Sequence, residues 1–260
     1  MLIQDITKSG LFKMARPILK GLLPTRLRQY LHQFRIQRVD GQFKKLNRQQ
    51  LFDAIYTQQM WGGTPERTSG WGSYGDHSTK YIEFVNAFIR ENGIATVLDI
   101  GCGDFHIGEK ICPNVSRYLA ADVSTVIIKR NRAKFQQFQN SEFMVLDVCA
   151  DELPRTDLVT IREVLQHLSN DDILAALSNI EKTRPRFVLV TEHLPDKEVL
   201  KTPNLDKPRG PNIRNPFGSG VFIDKPPFNR KAKVVLSVKH PSFKGSPSHL
   251  VSYLWEPTSV

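Results

Sequence analysis

Apolar positions recur at two different periods along the chain, and the switch between them lays out its elements. Leu11, Ala15, Ile18 and Leu22 stand at helical spacing, with Lys13, Arg16 and Lys20 between them. After Pro24 a second such pattern runs through Leu27, Tyr30, Leu31 and Phe34, with Arg26, Arg28, Arg35 and Arg38 on its other face. Both patterns predict short basic amphipathic helices. Residues 51–56 predict another. Ser78 is placed to cap a helix through residue 92, with Tyr81, Phe84, Val85 and Phe88 on its apolar face and Gly93 as its stop. From residue 94 to 192 strands alternate with helices. Strands are predicted over 95–100, 118–122, 143–147, 157–161 and 187–191. Helices are predicted near 105–111, over 124–138 and from the Ser169 cap, with Ile173, Leu177 and Ile180 on one stripe. Right-handed crossovers of this kind build a parallel sheet with helices on both faces. Two last runs, 233–238 and 249–255, predict an antiparallel pair.

Two stretches have no period. Residues 61–75 hold five glycines and two tryptophans, a loop with close backbone approaches. Residues 193–230 are proline-rich, and a loop of that length in a compact domain is usually functional.

Charge sharpens the picture. The net charge is +10, and residues 1–50 carry eleven Lys/Arg against Asp5 and Asp40, so +9 of it lies in this arm. A chain that grips nucleic acid over its whole face does not concentrate charge this way. The arm instead suits an anionic membrane surface or an acidic partner. No apolar run approaches 18 residues, which argues against a membrane span. Cys102, Cys112 and Cys149 do not make a paired framework and read as reduced thiols, so the expected setting is cytoplasmic, with the arm at the inner face of the membrane.

The chemical signal is strongest in Val97-Leu98-Asp99-Ile100-Gly101-Cys102-Gly103, a buried strand running straight into a Gly-x-Gly turn. A ligand can lie against bare backbone there, at the carboxyl edge of the sheet. Nineteen residues past Gly103, at the end of the second strand, stands Asp122, a carboxylate suited to both hydroxyls of a ribose. That pattern serves any adenosine-type cofactor. The third glycine of a dinucleotide site is missing, because position 106 is His. Asp99, just inside the turn, is a poor neighbour for pyrophosphate and a good one for a sulfonium and an α-amino group. These features favour S-adenosyl-L-methionine. Asp147, a third acidic strand end, is placed for the adenine amino group.

Leu98-Asp99-Ile100-Gly101-Cys102-Gly103, Asp122 and Asp147 together resemble successive motifs of the class I S-adenosylmethionine-dependent methyltransferases, over roughly residues 79–192. A narrower likeness lies in the segment 52–56, Trp61-Gly62, Ser69-Gly70-x-Gly72-Ser73, Arg162-Glu163-Val164-Leu165-Gln166-His167-Leu168-Ser169 and Pro226-Pro227-Phe228. These are similar to bacterial methyltransferases found beside cell-surface polysaccharide enzymes. The resemblance implies a Rossmann-like fold, with five parallel strands, a C-terminal antiparallel pair and a helical N-terminal extension. It implies a basic extension over 1–50, a lid over the cofactor in 51–78 and the methyltransferase domain over 79–260. The cofactor set it implies is Ser73, Asp99, Gly101, Cys102, Gly103, Asp122, Val123, Asp147, Val148 and Arg162.

Methyl transfer to a hydroxyl needs alignment and a base. His167, after the fourth strand, is the first candidate, with a pKa expected near 6–7. His193, expected just after the fifth strand, is the second. Glu163, Glu192 and His193 can be drawn as metal ligands, but their spacing is nonspecific and no metal is expected. The reaction expected is O-methylation of a saccharide, a glycan precursor or another small polar acceptor. Three alternatives stand beside it: a nucleic-acid methyltransferase using the arm, a non-catalytic cofactor-binding subunit, and an NAD-dependent oxidoreductase. The near-neutral body, the intact glycine turn with Asp122, and the missing third glycine speak against them in turn.

Overall fold

The computed structural model describes residues 34–36, 38–64, 67–243 and 246–257. The chain divides into two compact units, Met1–Val39 and Asp40–Val260. Within the first, residues 34–36 and 38–39 are helical. The basic helix expected from Leu11 to Leu22, and most of the next, lie outside the described residues, as does any membrane-facing surface they form.

The second unit carries one seven-stranded sheet in the order β3-β2-β1-β4-β5-β7-β6. The strands are β1 (Thr96–Ile100), β2 (Arg117–Asp122), β3 (Ser141–Val145), β4 (Leu158–Arg162), β5 (Phe187–Pro195), β6 (Ala232–Phe243) and β7 (Ser246–Trp255). The first five run parallel, and β7 is antiparallel to both β5 and β6. β1 is covered on both faces, which is why it reads as an apolar run interrupted only by Thr96 at its start and Asp99. The helices are α1 (Arg48–Thr57), α2 (Asp76–Asn92), α3 (Gly108–Ile111), α4 (Thr125–Lys134) and α5 (Asn170–Lys182). None of the described helices is long and apolar enough to cross a membrane.

Among the boundaries that differ from expectation, four have a visible cause or bear on the site. α2 begins at Asp76, because the Ser78 hydroxyl donates to Gly72 O (3.1 Å) and Gly75, at φ 103°, takes the N-cap position. β3 stops at Val145, two residues before Asp147. α4 stops at Lys134, because Phe135 and Phe138 turn inward against Phe105, with ring centroids 5.0 and 6.0 Å away. β5 runs on to Pro195, because β7 pairs with it along its whole length. His193 therefore lies inside a strand, opposite Leu250, and not after one.

Candidate active site

The glycine turn is bent back over β2 by two N–H groups. Gly101 and Cys102 both donate to Ala121 O, at 2.8 and 2.9 Å. Gly101 (φ 75°) and Gly103 (φ 55°) occupy the left-handed region, which costs glycine little. A Cβ at Gly101 would collide with Val164, and one at Gly103 with the Ser69 hydroxyl. Asp122 braces this turn: its Oδ2 accepts from Gly103 N (3.2 Å) and Tyr56 OH (3.4 Å), and its Oδ1 accepts from Ser124 N (2.9 Å). Burial lifts its pKa to about 6 against the opposing pull of the Ser124 and Gly103 N–H groups. A carboxylate has about four lone-pair positions; three are taken here, so Oδ1 keeps one for a ligand hydroxyl, and the Tyr56 bond, at 3.4 Å, is the one most readily exchanged for a second.

The glycine-rich segment packs directly on the turn, and Asp104 clips it there. Asp104 Oδ2 accepts from Thr68 N (3.0 Å), Ser69 N (3.2 Å) and Tyr74 OH (2.5 Å), and Ser69 Oγ accepts from Asp104 N (2.7 Å). Gly72 O is a second anchor, accepting from His77 Nε2 (3.0 Å), Ser78 Oγ and Arg162 Nη2. Ser73 is buried at the end of a 3-10 turn, Trp71–Ser73, with its hydroxyl 3.5 Å from Ser69 O. Replacing Asp104 with Ala should free this flap selectively. Hydrogen bonds to a charged acceptor contribute about 1.5–3 kcal/mol. Amide exchange at residues 67–75 should therefore quicken roughly 10- to 100-fold while exchange in β1 stays slow. Unchanged exchange at 67–75 would show that Asp104 does not hold the flap.

Other candidates take different places. Asp99 is buried, its pKa raised by burial, and it accepts from Tyr118 OH and Thr160 Oγ1, both at 2.9 Å. It ties β1 to both neighbouring strands. Cys102 is buried, which drives its thiol pKa well up, so it is no thiolate nucleophile. Asp147 does not present an open strand-end carboxylate as expected. It lies beyond β3, receives Arg48 Nε on both oxygens (2.9 and 2.7 Å) and accepts Cys149 N. Arg48 also reaches Asp172 at 2.7 Å, stapling α1 to α5. Val148 is buried and its carbonyl is held by Asn179, while Val123 lies half-buried between Asp122 and Ser124. Arg162, at the end of β4, pairs with Glu163 (3.1 Å) and lies over the Tyr81 ring. Its Nε is buried with no partner among the described residues.

His167 departs most from expectation. It is buried against Trp61, ring centroids 4.9 Å apart, and desolvation with Lys207 nearby pushes its pKa down to about 3. The expected titration near 6–7 is absent. Its segment is clamped from both sides. Glu192 accepts from Leu165 N (3.0 Å) and Gln166 N (3.1 Å), and Arg214 donates to three carbonyls in 165–168. Glu192 is thus committed to backbone and does not join His193. His193 instead meets Glu163 and His240, with one candidate ligand atom from each lying within 4.8 Å of the others. Its Nε2 is 2.6 Å from Ser248 Oγ, and burial lowers its pKa to about 4. Sequence reasoning missed His240, Arg214 and Arg48. Only His240 left a signal, since pairing the last two strands puts residue 240 at the same edge as β5's end.

Comparison with known proteins fits this geometry. Residues 98–183 match the family model of a methyltransferase domain. The fold is shared with the N-methyltransferase NodS from Bradyrhizobium japonicum WM9, solved with S-adenosyl-L-homocysteine, at 15% identity and a TM-score of 0.56, over 78% of this chain and 99% of that one. It is shared too with the magnesium protoporphyrin IX methyltransferase ChlM from Synechocystis PCC 6803 (14% identity, TM-score 0.51, 80% and 97% covered). A third is an S-adenosylmethionine-dependent methyltransferase from Clostridium acetobutylicum ATCC 824 (14%, 0.51, 71% and 93%). No curated protein matches the chain significantly by sequence. At such identities the structural likeness speaks for the fold.

Proposed function

We propose that this chain, whose residues 98–183 match a methyltransferase domain and whose fold is that of S-adenosylmethionine-dependent methyltransferases, methylates a hydroxyl of a saccharide, glycan precursor or other small polar acceptor. The cofactor is S-adenosyl-L-methionine, which supplies a methyl group on a sulfonium for in-line transfer. The residues present suit it. Asp122 and the buried, partnerless Nε of Arg162 stand at the ends of β2 and β4, the two strands flanking β1. An acid on one side for ribose hydroxyls and a guanidinium on the other for the methionyl carboxylate are the opposite charges this cofactor requires. Gly101, Cys102 and Gly103 offer backbone between them, Val123 and Val148 would flank the adenine, and Ser73, in the glycine-rich segment packed on the turn, would lie beside the cofactor.

The observation that carries the hydroxyl reading is the group formed by part-exposed Glu163 and buried His193 and His240 at the carboxyl edge. An alcohol must lose its proton, and this is the concentration of proton acceptors at that edge. His193 belongs to it and His167 does not, so His193 is the better of the two candidate bases. The +9 of residues 1–50 supports a location at an anionic surface, where lipid-linked glycan precursors also reside.

Calorimetry with S-adenosyl-L-homocysteine tests the cofactor part. Asp122→Ala should weaken binding by about 1.5–3 kcal/mol, roughly 10- to 150-fold. A folded Asp122→Ala protein with unchanged affinity would remove the ribose assignment. Mass spectrometry of sugar nucleotides and envelope extracts after incubation with methyl-labelled cofactor tests the acceptor. Label found on nitrogen, or in nucleic acid, would overturn the hydroxyl reading.

A further inference from the structure

Three elements deliver metal-ligating side chains to one point at the carboxyl edge of the sheet. Glu163 follows β4, His193 lies in β5 and His240 in β6, and their ligand atoms come within 4.8 Å of one another. Both histidines are buried, while Glu163 is part-exposed and gives the group an open side. Ser248 of β7 touches both residues. It is paired with His240 across the ladder and bonded to His193 at 2.6 Å. That bond fixes the His193 ring and leaves its other nitrogen for a ligand, as the outer contacts of metal-bound histidines do.

The backbone around the group is built to present it. Glu163 holds φ 55°, a conformation rare for a residue with a side chain and strained unless its surroundings impose it. Gly72 lies over its carboxylate, and a Cβ there would strike both Glu163 oxygens. His77, His240 and His193 stack in a row, centroids 4.3 and 4.2 Å apart. Three imidazoles and a carboxylate enclosed together make an expensive interior with no packing role that apolar residues would not fill better.

We infer that Glu163, His193 and His240 form a binding site for one divalent first-row transition ion such as Zn²⁺, Mn²⁺ or Fe²⁺. Imidazole with one carboxylate is the donor set these ions accept. Tetrahedral coordination at about 2.0–2.1 Å sets ligand atoms about 3.4 Å apart, so rotamer shifts of about an ångström draw the set together. Glu163 also pairs with Arg162 at 3.1 Å, which offsets its charge. A divalent ion held by two neutral imidazoles and a neutralised carboxylate calls for an anionic ligand on its open side. Resting on the O-methyl transfer proposed above, but with His193 holding the ion in place of acting as the base, that ligand is the acceptor oxygen. The bound hydroxyl gives its proton to water, the oxygen–methyl bond forms as the sulfur–methyl bond breaks, and the products are a methyl ether and S-adenosyl-L-homocysteine.

The test uses the full chain, treated with chelator and titrated with Co²⁺ alone. One Co²⁺ per chain should bind, with a visible d–d band, and equimolar Zn²⁺ should displace it. His193→Ala and His240→Ala should each weaken binding by at least about 100-fold, and Glu163→Gln by roughly 10- to 100-fold. His106→Ala, outside the group, should bind as the parent does. His240→Gln keeps a polar group of similar length and serves if the alanine variant fails to fold. Absence of Co²⁺ binding to the folded parent, or equal binding by the folded His193 and His240 variants, would overturn the site. S-adenosyl-L-homocysteine titrated into the same samples separates the two readings. Cofactor binding without metal binding sinks the metal site alone, and metal binding without cofactor binding sinks the methyltransferase assignment.

Discussion

Replacing Arg214 with methionine is expected to cost about 3–5 kcal/mol of folding stability, the scale for removing one member of a buried charged network. Arg214 comes from the proline-rich stretch and is 1% exposed. Its guanidinium donates to Leu205 O (2.9 Å), Leu165 O (3.3 Å), Gln166 O (3.1 Å), Leu168 O (2.7 Å) and Asn170 Oδ1 (3.1 Å). Methionine fills much of the volume but removes every one of these donors; Leu165 O keeps the Leu168 N–H, while the other acceptors lose the guanidinium that meets them. Two functions of the residue fail together. The long loop loses its anchor on the sheet, and the turn after β4 loses half of the clamp whose other half is Glu192. Because Glu163 opens that turn, methyl transfer should fall along with stability. Arg214→Lys keeps the charge but not the planar fork, so it should recover only a minor part. Urea unfolding followed by circular dichroism reads the difference. A loss below about 1 kcal/mol for Arg214→Met would mean that the loop is held by other contacts.

The second large effect is a loss of stability in acid that traces to His167. Its folded pKa lies near 3, depressed first by burial and then by Lys207, against 6.5 for the free side chain. The unfolded chain therefore binds the extra proton between pH 6.5 and 3, and stability contributed by the neutral ring is complete above pH 6.5 and drains away below it. By pH 4 the expected loss from this residue is roughly 3 kcal/mol, at about 1.4 kcal/mol for each pH unit. His167→Phe keeps a ring against Trp61 and removes the titration. Unfolding free energies of the two proteins measured from pH 8 to pH 4 should converge above pH 6.5 to a constant offset and separate below it, the parent falling faster. Parallel curves would mean that the ring is hydrated and not buried. The same depression implies that no rate profile between pH 6 and 7 will carry a His167 titration.

How far the sequence alone reaches is clearest at the glycine turn. Periodicity located β1, β2, β4 and β5 and the antiparallel close, because a strand covered on both faces is apolar along most of its length, its few buried polar groups, such as Asp99 and Thr160, being hydrogen-bonded to each other. Gly101, Gly103 and Asp122 were legible for the same kind of local reason, since a turn in the left-handed region and an acid at the next strand end are properties of short stretches of chain. The extent of β5, and with it the place of His193, was not. Strand length depends on the partner, and β7, contributed by residues far along the chain, pairs as far as Pro195. Asp147 looked like a strand-end ligand, yet Arg48, 99 positions earlier, claims it. His167 looked like a base with an ordinary pKa, and only the packing of Trp61 and Lys207 around it decides otherwise. Local sequence determined where the glycine turn proposed to cradle the cofactor lies. The tertiary structure decided which charged and imidazole side chains meet around it, because desolvation and pairing are properties of neighbours brought together from distant parts of the chain.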